Sequence, residues 1–162
     1  TAFAAKSNDA NNKMYFAYTV GAEKSAADLA AVLKDKISSK NYGKNPVILT
    51  WAANSATEYT GKLTSANVTE VIINNNLTMS GTSSFPAVKE FVVNGSLTVA
   101  NKATLNVEKL TSAVVNGTLK ANNQSKLPNE VTVNSENKKA VVIIETADSK
   151  WSKGNFAGTW HE

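Results

Sequence analysis

With 162 residues, 42% of them apolar, the chain can fold as one domain around a sizeable core, and no apolar run approaches the ~20 residues that a helical bilayer crossing needs. It has no cysteine, which excludes disulfides and thiolate metal sites, and no arginine, so all 17 basic residues are lysine. A net charge of +4 carried by singly scattered lysines lacks the bidentate donors with which nucleic-acid readers grip bases and phosphates, and implies a solubility surface.

The chain opens TAFAAKSNDANNK, small and polar, and AFA has the character of a signal-peptidase site. The expectation is a processed, secreted protein, extracellular or at the cell surface; a domain cut from a longer chain is the rival. Residues 1–21 form a strand-like segment whose run KMYFAYTV carries Tyr15, Phe16 and Tyr18. Residues 22–40 read as an amphipathic helix, because Ala26, Leu29, Ala30, Leu33 and Ile37 share one face. From residue 45 to 147 the pattern is short strands, beginning with NPVILTW and EYTGKLT.

Within that region one phrase recurs. VIINNNLTM starts at Val71, FVVNGSLTV at Phe91 and AVVNGTLKA at Ala113, at spacings of 20 and 22, and a weaker VTVN comes 18 later at Val131. Such a period with two short strands per unit is the mark of a solenoid whose coils stack. Alternation directs Val71, Ile73, Phe91, Val93, Ala113, Val115, Val131 and Val133 to one side, and Leu77, Met79, Leu97, Val99, Leu119 and Ala121 likewise after the corner. The corners Asn74-Asn75-Asn76, Asn94-Gly95-Ser96 and Asn116-Gly117-Thr118 use residues that tolerate positive φ. A fainter third strand places Phe85, Leu105 and Leu127 at equivalent inward positions. Asn-Gly is also a hairpin signal, but a meander of hairpins gives no reason for copies to recur in register. The expected fold is all-β: a short right-handed parallel β-helix (β-solenoid) of about 20 residues per coil with an N-terminal capping α-helix.

The order of helix, NPVILTW, EYTGKLT and repeats resembles the entrance of right-handed β-helix proteins of the pectin-lyase-like superfamily. That resemblance is architectural and implies a fold, not a reaction. It also implies what enzymes of the superfamily use: aspartates on neighbouring coils in the hydrolases, aspartate-bound calcium in the lyases. This chain has no aspartate between Asp35 and Asp148. Glu70, Glu90 and Glu130 recur near the repeat period and are expected to point outward as a solvated ladder, offset by Lys89 and Lys109. His161 is the only histidine, so no general base serves the serines and no metal ligand set is evident. No catalytic residue, metal or cofactor is expected. Asn-x-Ser/Thr sequons at Asn67, Asn76, Asn94, Asn116 and Asn123 arise from the corner chemistry.

Surfaces remain. Ile72, Val92 and Val114 alternate with the inward set and should face out, with Thr132 continuing the line. An apolar row of this kind calls for a cover, either KMYFAYTV from the same chain or another molecule. Tyr15, Phe16, Tyr18, Ile72, Val92 and Val114 are therefore the candidate assembly residues. Residues 148–162 form an aromatic tail in which Trp151, Phe156 and Trp160 either close the end of the stack or offer a platform to sugar rings or a partner. The expected function is a non-enzymatic extracellular structural or adhesive solenoid, part of a surface appendage, surface layer or phage fibre, that associates with itself or another surface protein. A carbohydrate-binding or carbohydrate-cleaving β-helix is the alternative. No nucleic-acid partner and no membrane insertion are expected.

Overall fold

The structure is a computed structural model, and it describes residues 3–8, 13–20, 47–55, 57–62, 68–100, 103–121, 130–144 and 151–161. Two strands precede the repeats, β1 (Phe3–Asn8) and β2 (Lys13–Val20). The first coils hold β3 (Val47–Trp51), β4 (Glu58–Lys62), β5 (Val68–Ile73) and β6 (Asn76–Ser84). The middle coils hold β7 (Glu90–Val93), β8 (Ser96–Val99), β9 (Thr104–Asn106), β10 (Ser112–Val115) and β11 (Thr118–Ala121). The last coils hold β12 (Val131–Ser135), β13 (Val141–Ile144), β14 (Trp151–Phe156) and β15 (Thr159–His161). The described residues contain no helix, and the segment expected to be a capping helix, 22–40, lies outside them.

Sheet A runs β1-β2-β3-β5-β7-β10-β12-β14 and sheet B runs β15-β13-β11-β8-β6-β4. Apart from the antiparallel β1–β2 pair, every pairing is parallel. Consecutive strands in each sheet come from successive coils, so the chain winds as a parallel β-solenoid of about four turns at roughly 22 residues each. The three quoted phrases lie directly over one another: Ile73 opposite Val93, Val93 opposite Val115, Leu77 opposite Leu97, Leu97 opposite Leu119.

The alternating pattern results from that stacking. Val71, Phe91, Ala113 and Val133 form one inward row and Leu77, Leu97, Leu119 and Val142 another, all at most 1% exposed. Burying each larger aliphatic or aromatic side chain contributes about 1.5–3 kcal/mol relative to leaving it exposed. The Phe85 and Phe91 rings meet edge to face at 6.1 Å and 88° in the middle of this core.

Three details differ from the sequence reading. The fourth copy is displaced by two residues, since Ala113 pairs with Val133 and not with Val131. In the third strand Leu105 pairs with Ser83, and the Phe85 amide donates to the Asn106 carbonyl. Phe85 and Leu105 are therefore not equivalent, although both are buried; Leu127 lies outside the described residues. A slip of two preserves the face of every side chain, so alternation alone cannot detect it.

The third correction concerns the corners. Among the described glycines only Gly81, where β6 bends between its β8-paired and β9-paired halves, has a positive φ, of 66°. Gly95 and Gly117 are needed for another reason. A Cβ on Gly117 would overlap the Gly95 carbonyl oxygen, and one on Gly95 would overlap the Asn75 carbonyl oxygen. The corners stack backbone on backbone, with Ser96 N donating to Asn75 O and Thr118 N to Gly95 O, each at 3.0 Å.

Gly117→Ala should accordingly destabilise the protein by about 1–3 kcal/mol, the cost of forcing atoms into a filled site, read as a lower urea midpoint. Ser83→Ala should do the opposite. Ser83 is 1% exposed and its Oγ has no hydrogen-bond partner, so removing it should leave stability equal or raise it by up to about 1 kcal/mol in the same measurement.

Candidate functional site

The outer face of sheet A carries two parallel rows. One runs Thr50, Ile72, Val92, Val114, Asn134, and Thr19 on β2 extends it beside Thr50. Ile72, Val92 and Val114 are half-buried there and Thr19 is exposed. The other runs Ile48, Glu70, Glu90, Ser112, Thr132, Ser152. Thr132 thus belongs to the glutamate row, and Asn134 continues the apolar row beyond Val114. Glu130 stands outside the glutamate row, just before β12.

The expected cover for the apolar row is not where the sequence reading put it. β2 pairs edge to edge with β3, Phe16 opposite Val47 and Tyr18 opposite Leu49, so it lengthens the sheet and does not lie across it. Tyr15 stands opposite Lys6 of β1. Tyr18 therefore shares the register row of Leu49, Val71, Phe91 and Ala113, and the structure does not bring Tyr15, Phe16 and Tyr18 together with Ile72, Val92 and Val114.

Glu70 and Glu90 are opposite one another on adjacent strands. Burial raises the Glu70 carboxyl above its ordinary range, and the Glu90 charge adds to the shift. The net direction is upward, so the offset expected from Lys89 and Lys109 does not reverse it.

Along the corner between the sheets runs an asparagine ladder. Asn94 Nδ2 donates to Asn74 Oδ1 at 2.8 Å, and Asn116 Nδ2 donates to Asn94 Oδ1 at 2.9 Å. Beside it Ser96 Oγ donates to Asn76 Oδ1 at 3.0 Å. The amide nitrogens of the sequon residues Asn94 and Asn116 are thus engaged between coils. The ladder ends where the corner lengthens: Ser135 Oγ donates to Asn116 Oδ1 at 3.3 Å, and Asn137 Nδ2 donates to the Asn116 carbonyl at 2.6 Å.

The aromatic tail forms one more coil. β14 and β15 continue both sheets, and Trp160 pairs with Val142 in the row of Leu77, Leu97 and Leu119. Phe156 is 6% exposed and meets the half-buried Trp160 edge to face at 6.0 Å and 76°. Phe156 therefore offers no ring face to a sugar, and Trp160 packs against the core. Trp151 pairs with Val131 at the start of the coil. His161 is exposed, opposite Ile143.

One concave feature was not foreseen. β14 carries an irregularity opposite Asn134: Val133 pairs with Lys153, but Ser135 pairs with Phe156. The extra residue brings Asn155 N to donate to Asn134 Oδ1 at 2.9 Å. Val114, Asn116, Asn134, Ser135, Glu136 and Asn155 line a depression of about 390 Å³ beside it. The spacing of the asparagines was visible in the sequence, but the bulge that gathers Asn134 and Asn155 has no local signature.

Among the described residues no three or more His, Asp or Glu side chains cluster as a metal site, and no helix is long and apolar enough to cross a membrane. No protein-family model, no curated protein and no solved structure matches this chain.

The glutamate pair makes stability depend on pH. A carboxyl whose folded pKa is raised favours the native state below its unfolded pKa and loses that contribution as pH rises through the folded value. Glu70→Gln should therefore stabilise the protein at pH 7, by up to about 1 kcal/mol for a like-charge cross-strand neighbour. The gain should vanish in thermal melts at acid pH, where the Glu70 carboxyl is protonated.

Proposed function

We propose that this chain is a non-enzymatic, extracellular β-solenoid with a structural or adhesive role, a subunit or domain of a surface appendage, surface layer or phage fibre. The observation that carries the reading is how the sheets end. Among the described residues β1 and β4 at one end, and β14 and β15 at the other, have a strand neighbour on one side only. A strand with an unpaired backbone edge is a template for another strand, and a second copy of the chain can supply one at either end. Between those ends the hydrogen-bonded ladder resists bending, which suits a load-bearing or spacing element.

The sequence favours the same reading. With one histidine and no aspartate from residue 36 to 147, the solenoid body lacks the carboxylate sets implied by the pectin-lyase-like resemblance. That resemblance is itself part of the proposal, and it concerns architecture alone.

Self-association is the direct test. Light scattering and electron microscopy of the full chain should reveal assemblies that grow with concentration and are lost when residues 1–20 are deleted, with circular dichroism verifying that the shortened chain keeps its β structure. A full chain that stays monomeric at every concentration, or assemblies indifferent to the deletion, would count against the proposal.

A further inference from the structure

The depression at the end of sheet A departs from the repeat on both sides. One wall is the lengthened corner after β12, where Glu136, Asn137, Lys138 and Lys139 are all exposed. That corner is held by its own bonds: Asn137 N donates to Ser135 Oγ and Lys139 N to Asn137 Oδ1, each at 3.0 Å. The other wall is the β14 bulge, a device that re-aims side chains and is over-represented next to functional sites. Between them sits half-buried Val114, the last member of the apolar row.

The polar groups around this hollow fall into two sets. Asn116 is committed to the ladder on both its side-chain atoms. The Glu136 carboxylate, the Asn134 Nδ2 and the whole side-chain amide of Asn155 make no hydrogen bond among the described residues. The free set therefore combines a charged acceptor, a neutral acceptor and two amide donors around an aliphatic patch.

The geometry points to a neutral saccharide as the ligand of this hollow. Vicinal sugar hydroxyls both donate and accept, so they satisfy a carboxylate and an amide together, while the C–H face of the ring rests on Val114. An anion is disfavoured by Glu136, and no lysine is among the described residues that line the hollow. A hard cation wants acceptors on all sides, and here amide donors and valine methyls take those places. A volume of about 390 Å³ lies at the small end of the ~300–1,000 Å³ of ligand sites and accommodates one or two rings. The site is formed within one chain and does not depend on assembly.

The test is an NMR titration of the 15N-labelled full chain with galactose, glucose, mannose and N-acetylglucosamine in turn, and separately with calcium chloride. At least one sugar should give saturable shifts at the backbone amides of Asn134, Ser135, Glu136 and Asn155, and calcium should give none there. Glu136→Ala and Asn155→Ala remove exposed side chains, so their spectra should stay folded. Each should weaken sugar binding about tenfold, the equivalent of one hydrogen bond. No shift with any of the sugars, shifts centred elsewhere, calcium binding in their place, or folded variants that bind as well as the parent would each overturn the assignment. A failure of assembly would leave these readings unaffected.

Discussion

Hydrogen bonds between equivalent strands of successive coils set the distance from one coil to the next at about 4.8 Å, and most other features of the molecule answer to that spacing. At that separation a side chain meets, above and below, the residue one period away. Rows of like shape are then the simplest filling, which is why Val71, Phe91, Ala113 and Val133 share one inward row and Leu77, Leu97 and Leu119 another. The same spacing acts on the corners. Where carbonyls of one coil sit against the α-carbons of the next, only glycine fits, as at Gly95 and Gly117. Where the corner side chain points outward, an amide can donate to the coil before it and accept from the coil after it, as Asn94 does.

A body built this way is regular, so its distinctive chemistry sits where the regularity stops. At the N-terminal end β1 turns back antiparallel to β2 and presents an edge of different polarity from the rest of sheet A. In the last described coil Phe156 and Trp160 are larger than the aliphatic residues of the coils before it, and their rings meet edge to face. Between β12 and β14 the chain gains residues at a corner and within a strand. Strands bound on both sides cannot absorb an insertion without breaking the ladder, so extra residues go to corners, edges and bulges. The depression around Asn134 and Asn155 is a consequence of that rule.

The outer face illustrates a competing demand. Ile72, Val92 and Val114 are β-branched and suit a pleated surface, and each stands half-buried directly beside the next within its row. In the neighbouring row the same stacking brings Glu70 and Glu90 together at an electrostatic cost. Favourable and unfavourable neighbours arise from one geometry, because register assigns neighbours without regard to their charge.

The sequence by itself determined the solenoid, the parallel stacking of the three quoted phrases and the identity of nearly every inward residue, because a period of two within strands and a period near 20 between them are both written locally. What it left open depends on register and on contacts far apart in the chain. A slip of two residues keeps every side chain on its face, so alternation could not tell that Val133 rather than Val131 lies over Ala113, nor that Leu105 meets Ser83. The reason for the corner glycines was hidden too, since close approach of a carbonyl from the previous coil has no trace within the corner itself. Tertiary structure alone decided that β2 extends sheet A beside β3 and that a bulge joins Asn155 to Asn134. Both outcomes rest on backbone pairing between distant segments, and any extended segment offers the same backbone groups.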